Sequence, residues 1–251
     1  MQRLTLVSDL TLDDFLGGKV KIWQPRKGYR AGIDAVLLAA AVPAKSGQTI
    51  LELGAGVGTA SLCLAARIPG LAITCVELQA DYAELARKNG LTEVVEADLR
   101  ELPADLRQRQ FNHVIMNPPY FARAQGDRAS DMGRDIGRGG DTPLFDWLDI
   151  GIKRTGPKGH LTLIQHISRL PEVFTAAQGR LGSLVLRPIS PRLGRAPNLF
   201  LLQGQQDGKA AFQMAEPLIL HEGKEHPGDQ EHYTDEVSQI LRNAAPLPIG
   251  G

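Results

Sequence analysis

Short apolar runs alternate with helix-forming stretches along most of the chain. Residues 49–54 (TILELG), 73–78 (ITCVEL), 93–98 (EVVEAD), 111–116 (FNHVIM) and 161–165 (LTLIQ) read as strands. Between and after them, residues 59–68, 80–89, 143–154 and 170–181 read as helices, with Gly90 as a C-terminal stop. A further helix is predicted over 34–42 (DAVLLAAAV), with Asp34 as its N-cap and Pro43 as its stop. Most of the strands are unbroken apolar runs, the mark of a parallel sheet covered on both faces. The end of the chain departs from this alternation. Residues 184–189 and 198–203 are two strands joined by a loop of Pro, Arg and Gly with no helix between them. They are predicted to pair as an antiparallel hairpin. The fold class is therefore α/β, a mostly parallel seven-stranded sheet that ends in an antiparallel hairpin. Residues 121–141, with five glycines and four arginines and no apolar period, read as a long loop, of the kind that is functional or disordered.

At 251 residues and 43% hydrophobic content, one aliphatic core suffices without disulfide staples. The expected organisation is an extension over 1–48 packed on a single globular unit over 49–251. Lys plus Arg and Asp plus Glu each total 28, which excludes a uniformly basic nucleic-acid coat. The charges are unevenly placed, however. Eight cations and only Glu172 as a counter-charge fall between residues 151 and 200, and the balance turns acidic afterwards. Lys19, Lys21, Arg26, Lys27 and Arg30 interleave with Trp23 and Tyr29, and Arg187, Arg192 and Arg195 flank the terminal hairpin. Both groups suit a phosphate backbone or an ordinary charged surface. Cys63 and Cys75 sit in apolar settings without motif spacing, which points to a reducing compartment. The longest apolar run, over 35–43, is too short to span a bilayer, so no membrane is expected and the chain reads as cytoplasmic.

Candidate chemistry collects at the ends of successive strands, where open α/β sheets bind ligands. The first strand runs into Gly54-Ala-Gly56-Val-Gly58, whose spacing puts Thr59 where a dinucleotide site needs its third glycine. Glu77 ends the second strand, where a carboxylate can accept both hydroxyls of a ribose. Asp98 ends the third, placed either to reach an adenine amine or to cap the next stretch of chain. The fourth ends in Asn117-Pro118-Pro119-Tyr120, a tetrapeptide that chance supplies in about one chain in 10³ of this length. An exocyclic amine is a poor nucleophile because its lone pair is delocalised. The Asn117 side-chain oxygen and the Pro118 carbonyl can each accept one of its N–H groups and favour a pyramidal nitrogen. The prolines stiffen the turn and remove competing donors, and Tyr120 can stack on an unstacked base. His221, Glu222 and His226 have a spacing one residue too long for a helical zinc pair, so no metal is expected.

The glycine turn, Glu77, Asp98 and the 117–120 motif together resemble the class I S-adenosylmethionine-dependent methyltransferases that act on amino groups. Residues 9–41, RLGRAPNLFLLQG at the terminal hairpin and PLILH over 217–221 are similar to one branch of them. That branch is the bacterial adenine-N6 methyltransferases of valine tRNA. The resemblance implies a Rossmann-like fold, S-adenosylmethionine as cofactor, RNA (tRNA) as partner and adenosine 37 as the acceptor. It also implies site roles. Gly54 and Gly56 lie against the methionine portion, Glu77 holds the ribose, and Asp98 meets the cofactor adenine. Asn117 and Pro118 bind the target amine, Tyr120 stacks on the base, and Asp34 helps close the cofactor pocket or simply caps its helix. The same motif chemistry serves a release-factor glutamine amide or the guanine N2 amine of rRNA. A nicotinamide oxidoreductase and an inactive RNA-binding module are readings of other classes.

Overall fold

A computed structural model describes residues 9–120, 142–223 and 232–250. The loop over 121–141 and His226 lie outside them. The chain opens with a hairpin of β1 (Leu10–Phe15) and β2 (Val20–Pro25), paired antiparallel from Leu10↔Pro25 to Phe15↔Val20. Helix α1 (Ile33–Ala41) comes next. The alternating core then runs β3 (Thr49–Leu53), α2 (Thr59–Arg67), β4 (Ala72–Glu77), α3 (Ala80–Lys88), β5 (Glu93–Glu96), α4 (Ala104–Gln108) and β6 (Phe111–Met116). After the loop come α5 (Leu144–Arg154), β7 (Thr155–His166), α6 (Leu170–Ala177), β8 (Gly182–Arg192) and β9 (Leu199–Gln205). Two short strands, β10 (Gln213–Met214) and β11 (Leu218–His221), and helix α7 (Asp235–Asn243) complete the order.

The main sheet has the order β10-β8-β9-β7-β6-β3-β4-β5, with β11 also on β8. Strand β9 runs antiparallel to both β7 and β8, and the other pairings are parallel. The expected hairpin is thus present, and the seven expected strands form one contiguous sheet. The sheet has nine strands rather than seven because β10 and β11 line up end to end along the outer edge of β8. They cover an edge that would otherwise present unpaired backbone groups. Both are too short to show a period in the sequence.

Alternation along each strand divides the core in two. Ile50 and Ile115 face α1, α2 and α7, in a cluster that includes Leu37, Leu38, Leu64, Val237 and Ile240. Leu51, Leu53, Val114 and Met116 face the opposite layer with Leu106, Leu148 and Val173. The strand order reverses between β3 and β6: β4 and β5 continue to one side, β7 to the other. That reversal opens a crevice at the carboxyl ends of β3 and β6.

The β1–β2 hairpin is fixed to this frame by polar contacts as well as by Leu16, Val20 and Ile22. At the C-cap of α3, Asn89 accepts from the backbone N–H of Trp23 (2.8 Å) and donates to the carbonyls of Trp23 (3.1 Å) and Val57 (3.0 Å). One side chain therefore ties β2 to the turn after β3. Asn89→Ala removes all three bonds from a partly buried place, and is expected to cost about 2 kcal/mol in urea unfolding. A loss within about 0.5 kcal/mol, the range of ordinary surface changes, would show that apolar packing alone holds the hairpin.

Candidate active site

A cavity of about 750 Å³ fills the crevice. Its walls come from four consecutive strand ends: Gly54 and Gly56 after β3, residues 76–79 at β4, Ala97 and Leu99 beyond β5, and residues 117–120 after β6. Gly28, Tyr29, Arg30 and Asp34 close it from the amino-terminal side, and Trp147 from α5. The cavity thus gathers Asp34, Gly54, Gly56, Glu77, Asn117, Pro118 and Tyr120 in one place.

Glycine is required at the first turn. Gly54 has φ +68°, and a Cβ there would collide with the Trp147 indole ring. Gly56 has φ +56°, and its N–H donates to Glu77 Oε2 at 2.7 Å. The other Glu77 oxygen accepts from the N–H of Gln79 at 2.9 Å. Burial pushes the Glu77 carboxyl above its usual range, and backbone N–H groups of Gln79, Gly56 and Leu78 pull it back. The turn therefore presents bare backbone beside a carboxylate whose position is fixed, a cradle suited to a ribose and its substituent.

Asp98 is placed differently. Its carboxylate accepts from the Arg100 N–H (2.9 Å) and forms an ion pair with the Arg100 guanidinium (2.7 Å). It caps the 3-10 turn Leu99–Glu101, and its neighbours Ala97 and Leu99 line the cavity instead. The Arg100 hydrogen bonds hold its carboxyl below the usual range.

Asp34 is not the helix cap expected of it. The N-cap of α1 is Gly32, and Asp34 lies in the first turn. Its carboxylate faces the cavity and accepts from the Tyr120 hydroxyl at 2.5 Å. Burial raises the Asp34 carboxyl, and burial beside Asp34 raises the Tyr120 phenol far above its usual range. Tyr29 is held through its backbone: its N–H donates to the Tyr82 hydroxyl (2.9 Å), which donates to the Tyr29 carbonyl (3.1 Å).

Two further side chains serve the site without a motif to announce them. Gln165, fully buried at the end of β7, donates to the carbonyls of Pro118 (3.3 Å) and Pro119 (3.4 Å). Glu52, buried one residue before the end of β3, accepts from the Ser61 N–H (3.1 Å) and the Ser61 hydroxyl. Desolvation, with a smaller contribution from Glu77, lifts the Glu52 carboxyl to about 7. In the sequence both look like ordinary strand positions. Only the layer above each strand reveals what they meet.

Part of the uneven charge of the sequence is offset by pairing. Lys21 meets Asp14, Arg26 meets Asp9 and Arg30 meets Asp13. Lys153 and Arg180 share Asp149, Arg169 meets Glu172, and Arg187 meets Glu236. Cys63 and Cys75 are buried and unlinked. Among the described residues no group of three or more His, Cys, Asp or Glu is placed to hold a metal ion. Nor is any helix among them long and apolar enough to cross a membrane.

The strand order, the glycine turn and the acid at the end of β4 define a class I methyltransferase, whose cofactor is S-adenosylmethionine. The model of the methyltransferase small domain family matches residues 30–136. A tRNA1(Val) (adenine(37)-N6)-methyltransferase from Shewanella halifaxensis is 34% identical over 196 residues, 74% of this chain and 78% of its own. The crystal structure of a predicted O-methyltransferase, Atu636 from Agrobacterium tumefaciens, superposes with a TM-score of 0.69 at 28% identity, covering 86% of this chain and 98% of its own. The Thermus thermophilus 16S rRNA N2 G1207 methyltransferase, solved with AdoMet and guanosine, shares the fold at a TM-score of 0.55 and 20% identity, covering 83% of this chain and 48% of its own. The chain belongs to the tRNA1(Val) (adenine(37)-N6)-methyltransferase family.

The Glu52 environment carries a pH signature. The folded carboxyl titrates near 7 and the unfolded one near 4.5. Its stabilising contribution is complete below the unfolded value and is lost as pH rises through the folded value. Unfolding measured from about pH 5 to pH 8 should show wild type losing about 3 kcal/mol relative to Glu52→Gln. Parallel stability curves for the two proteins would contradict that environment.

Proposed function

We propose that the protein transfers a methyl group from S-adenosylmethionine to the N6 amine of an adenine in tRNA, with adenosine 37 of valine tRNA as the acceptor. The observation that carries this reading is the Asn117-Pro118-Pro119-Tyr120 turn, which lines the same cavity as the glycine turn and Glu77. The name of the Shewanella relative states the same activity for that protein.

When bound, S-adenosylmethionine supplies an electrophilic methyl on a positively charged sulfur. In the proposal Gly54 and Gly56 offer backbone to its methionine portion, and Glu77 accepts from the ribose hydroxyls. Asp98 joins through the cofactor adenine, which requires its carboxylate to turn away from Arg100. Asn117 Oδ1 and the Pro118 carbonyl each accept one N–H of the target amine. That directs the nitrogen lone pair along the line of attack. Transfer would form the N–C bond as the donor's C–S bond breaks with its electron pair left on sulfur, and the nitrogen would then give one proton to water. The Tyr120 ring stacks on the target base, and Asp34 fixes that ring by its hydroxyl. The base must be splayed from its loop to enter, a step that RNA loops permit. Residues 1–48 act as an extension packed on a methyltransferase domain over 49–251. The compartment is the cytoplasm, where tRNA is at hand.

Two substitutions separate the halves of the site. Asn117→Ala is expected to lower single-turnover transfer onto unmodified tRNA by at least about 10²-fold, the scale of a lost preorganised contact, with S-adenosylmethionine affinity unchanged in calorimetry. Normal turnover by that variant would refute the assigned chemistry. Glu77→Ala is expected to weaken S-adenosylmethionine binding by about tenfold or more. Unaltered affinity would remove Glu77 from the cofactor site.

A further inference from the structure

Pro118 and Pro119 carry no N–H, so the turn cannot brace itself through its own donors. Its three successive carbonyls are instead held from outside by one segment of the chain. Gln165 Nε2 donates to Pro118 O at 3.3 Å and to Pro119 O at 3.4 Å, and Arg169 Nη1 donates to Tyr120 O at 3.4 Å. Both donors are themselves fixed. Gln165 is fully buried, and its Oε1 accepts from the His166 N–H at 2.7 Å, which settles which end of the amide faces the turn. Arg169 is mostly buried and paired with Glu172, Nε to Oε2 at 2.8 Å. Strands β6 and β7 pair in parallel up to Met116↔Leu163, so Gln165 sits two residues past the last pair and faces the turn that leaves β6, and Arg169 follows in the 3-10 turn Ile167–Arg169.

We propose that Gln165 and Arg169 are positioning residues for methyl transfer, a bracket of donors that sets where the Pro118 carbonyl points. A carbonyl has two acceptor directions. Gln165 occupies one at Pro118 and leaves the other for the incoming amine. Without the bracket the turn still exists, because the prolines fix its φ angles, but its carbonyl direction is no longer defined to the tolerance an in-line transfer needs. This rests on the reading of Asn117 and Pro118 as acceptors of the amine.

The test compares wild type, Gln165→Met, Gln165→Glu and Arg169→Met in single-turnover transfer onto unmodified tRNA, with cofactor affinity, tRNA affinity and hydrogen exchange. Gln165→Met keeps length and loses the donor. It is expected to slow transfer by about 10²-fold, to leave both affinities within about threefold, under a kcal/mol, and to speed exchange at the Asn117 and Tyr120 amides. Arg169→Met is expected to act in the same direction and more weakly. In Gln165→Glu the protonated acid can still donate to Pro118 O, whereas the carboxylate repels it. Its transfer rate is therefore expected to fall relative to wild type as pH rises, a dependence that mere packing would not produce. Wild-type rates in Gln165→Met, a pH profile of Gln165→Glu parallel to wild type, or loss of activity only in step with loss of folding or cofactor binding would each overturn the assignment. If wild type itself transferred nothing to tRNA, the proposed function would fail instead, and the hydrogen-exchange result would still decide whether Gln165 braces the turn.

Discussion

A turn with two consecutive prolines has acceptors and no donors of its own between Asn117 and Tyr120. That single deficit organises much of the surrounding structure. Carbonyls left bare in a partly buried place must be satisfied from elsewhere, and here β7 and the segment after it supply the donors. The Tyr120 side chain is tied in turn to Asp34 of α1. The motif is thus gripped from a neighbouring strand on one side and from the amino-terminal segment on the other. In the proposed reaction Gln165 takes one acceptor direction of the Pro118 carbonyl, and the other, which no local N–H can claim, stays open to the amine.

The amino-terminal segment closes the cavity from outside the sheet. Its hairpin is clamped by Asn89, and Gln24, almost fully buried, accepts from the Ala31 N–H and donates to Asp13, so the 26–31 stretch is tied back to β1 and β2. Tyr29 meets Tyr82 of α3, and its ring lies beside Gly56. Tyr29 and Asp34 therefore reach the cavity from outside the sheet, while strand ends, Tyr82 of α3 and Trp147 of α5 line the rest. The buried Glu52 lies beneath, holding the N-terminal turn of α2 through Ser61.

Much of this was legible in the residues. The continuous apolar runs located the parallel strands, and the absence of a helix between 189 and 198 foretold the antiparallel pair. Glycines, Glu77 and the Asn-Pro-Pro-Tyr motif pointed to the crevice because each comes directly after a strand or ends one. Other features were hidden for physical reasons. LTLDDF and VKIWQP lose their apolar-polar alternation by the fifth and fourth residue, so the first hairpin carries a weak periodic signal; Gly17 and Gly18, both with positive φ, lie in its connection. Asp34 resembled a cap because caps and first-turn acids share a composition, and only the facing Tyr120 separates them. Asp98 satisfied two descriptions at once, and Arg100 two residues on decided where its carboxylate points. The run of cations over 151–200 looked unopposed because Asp149 and Glu236, which meet several of them, lie outside that window.

In the proposed reaction the 117–120 turn presents an adenine amine to the methyl donor. The most direct test is transfer of labelled methyl from S-adenosylmethionine onto separated tRNA, rRNA and protein fractions, with digestion and nucleoside analysis afterwards. Label is expected in the tRNA fraction alone, recovered as N6-methyladenosine. Label recovered as N2-methylguanosine from rRNA, or as methylglutamine from protein, would contradict it.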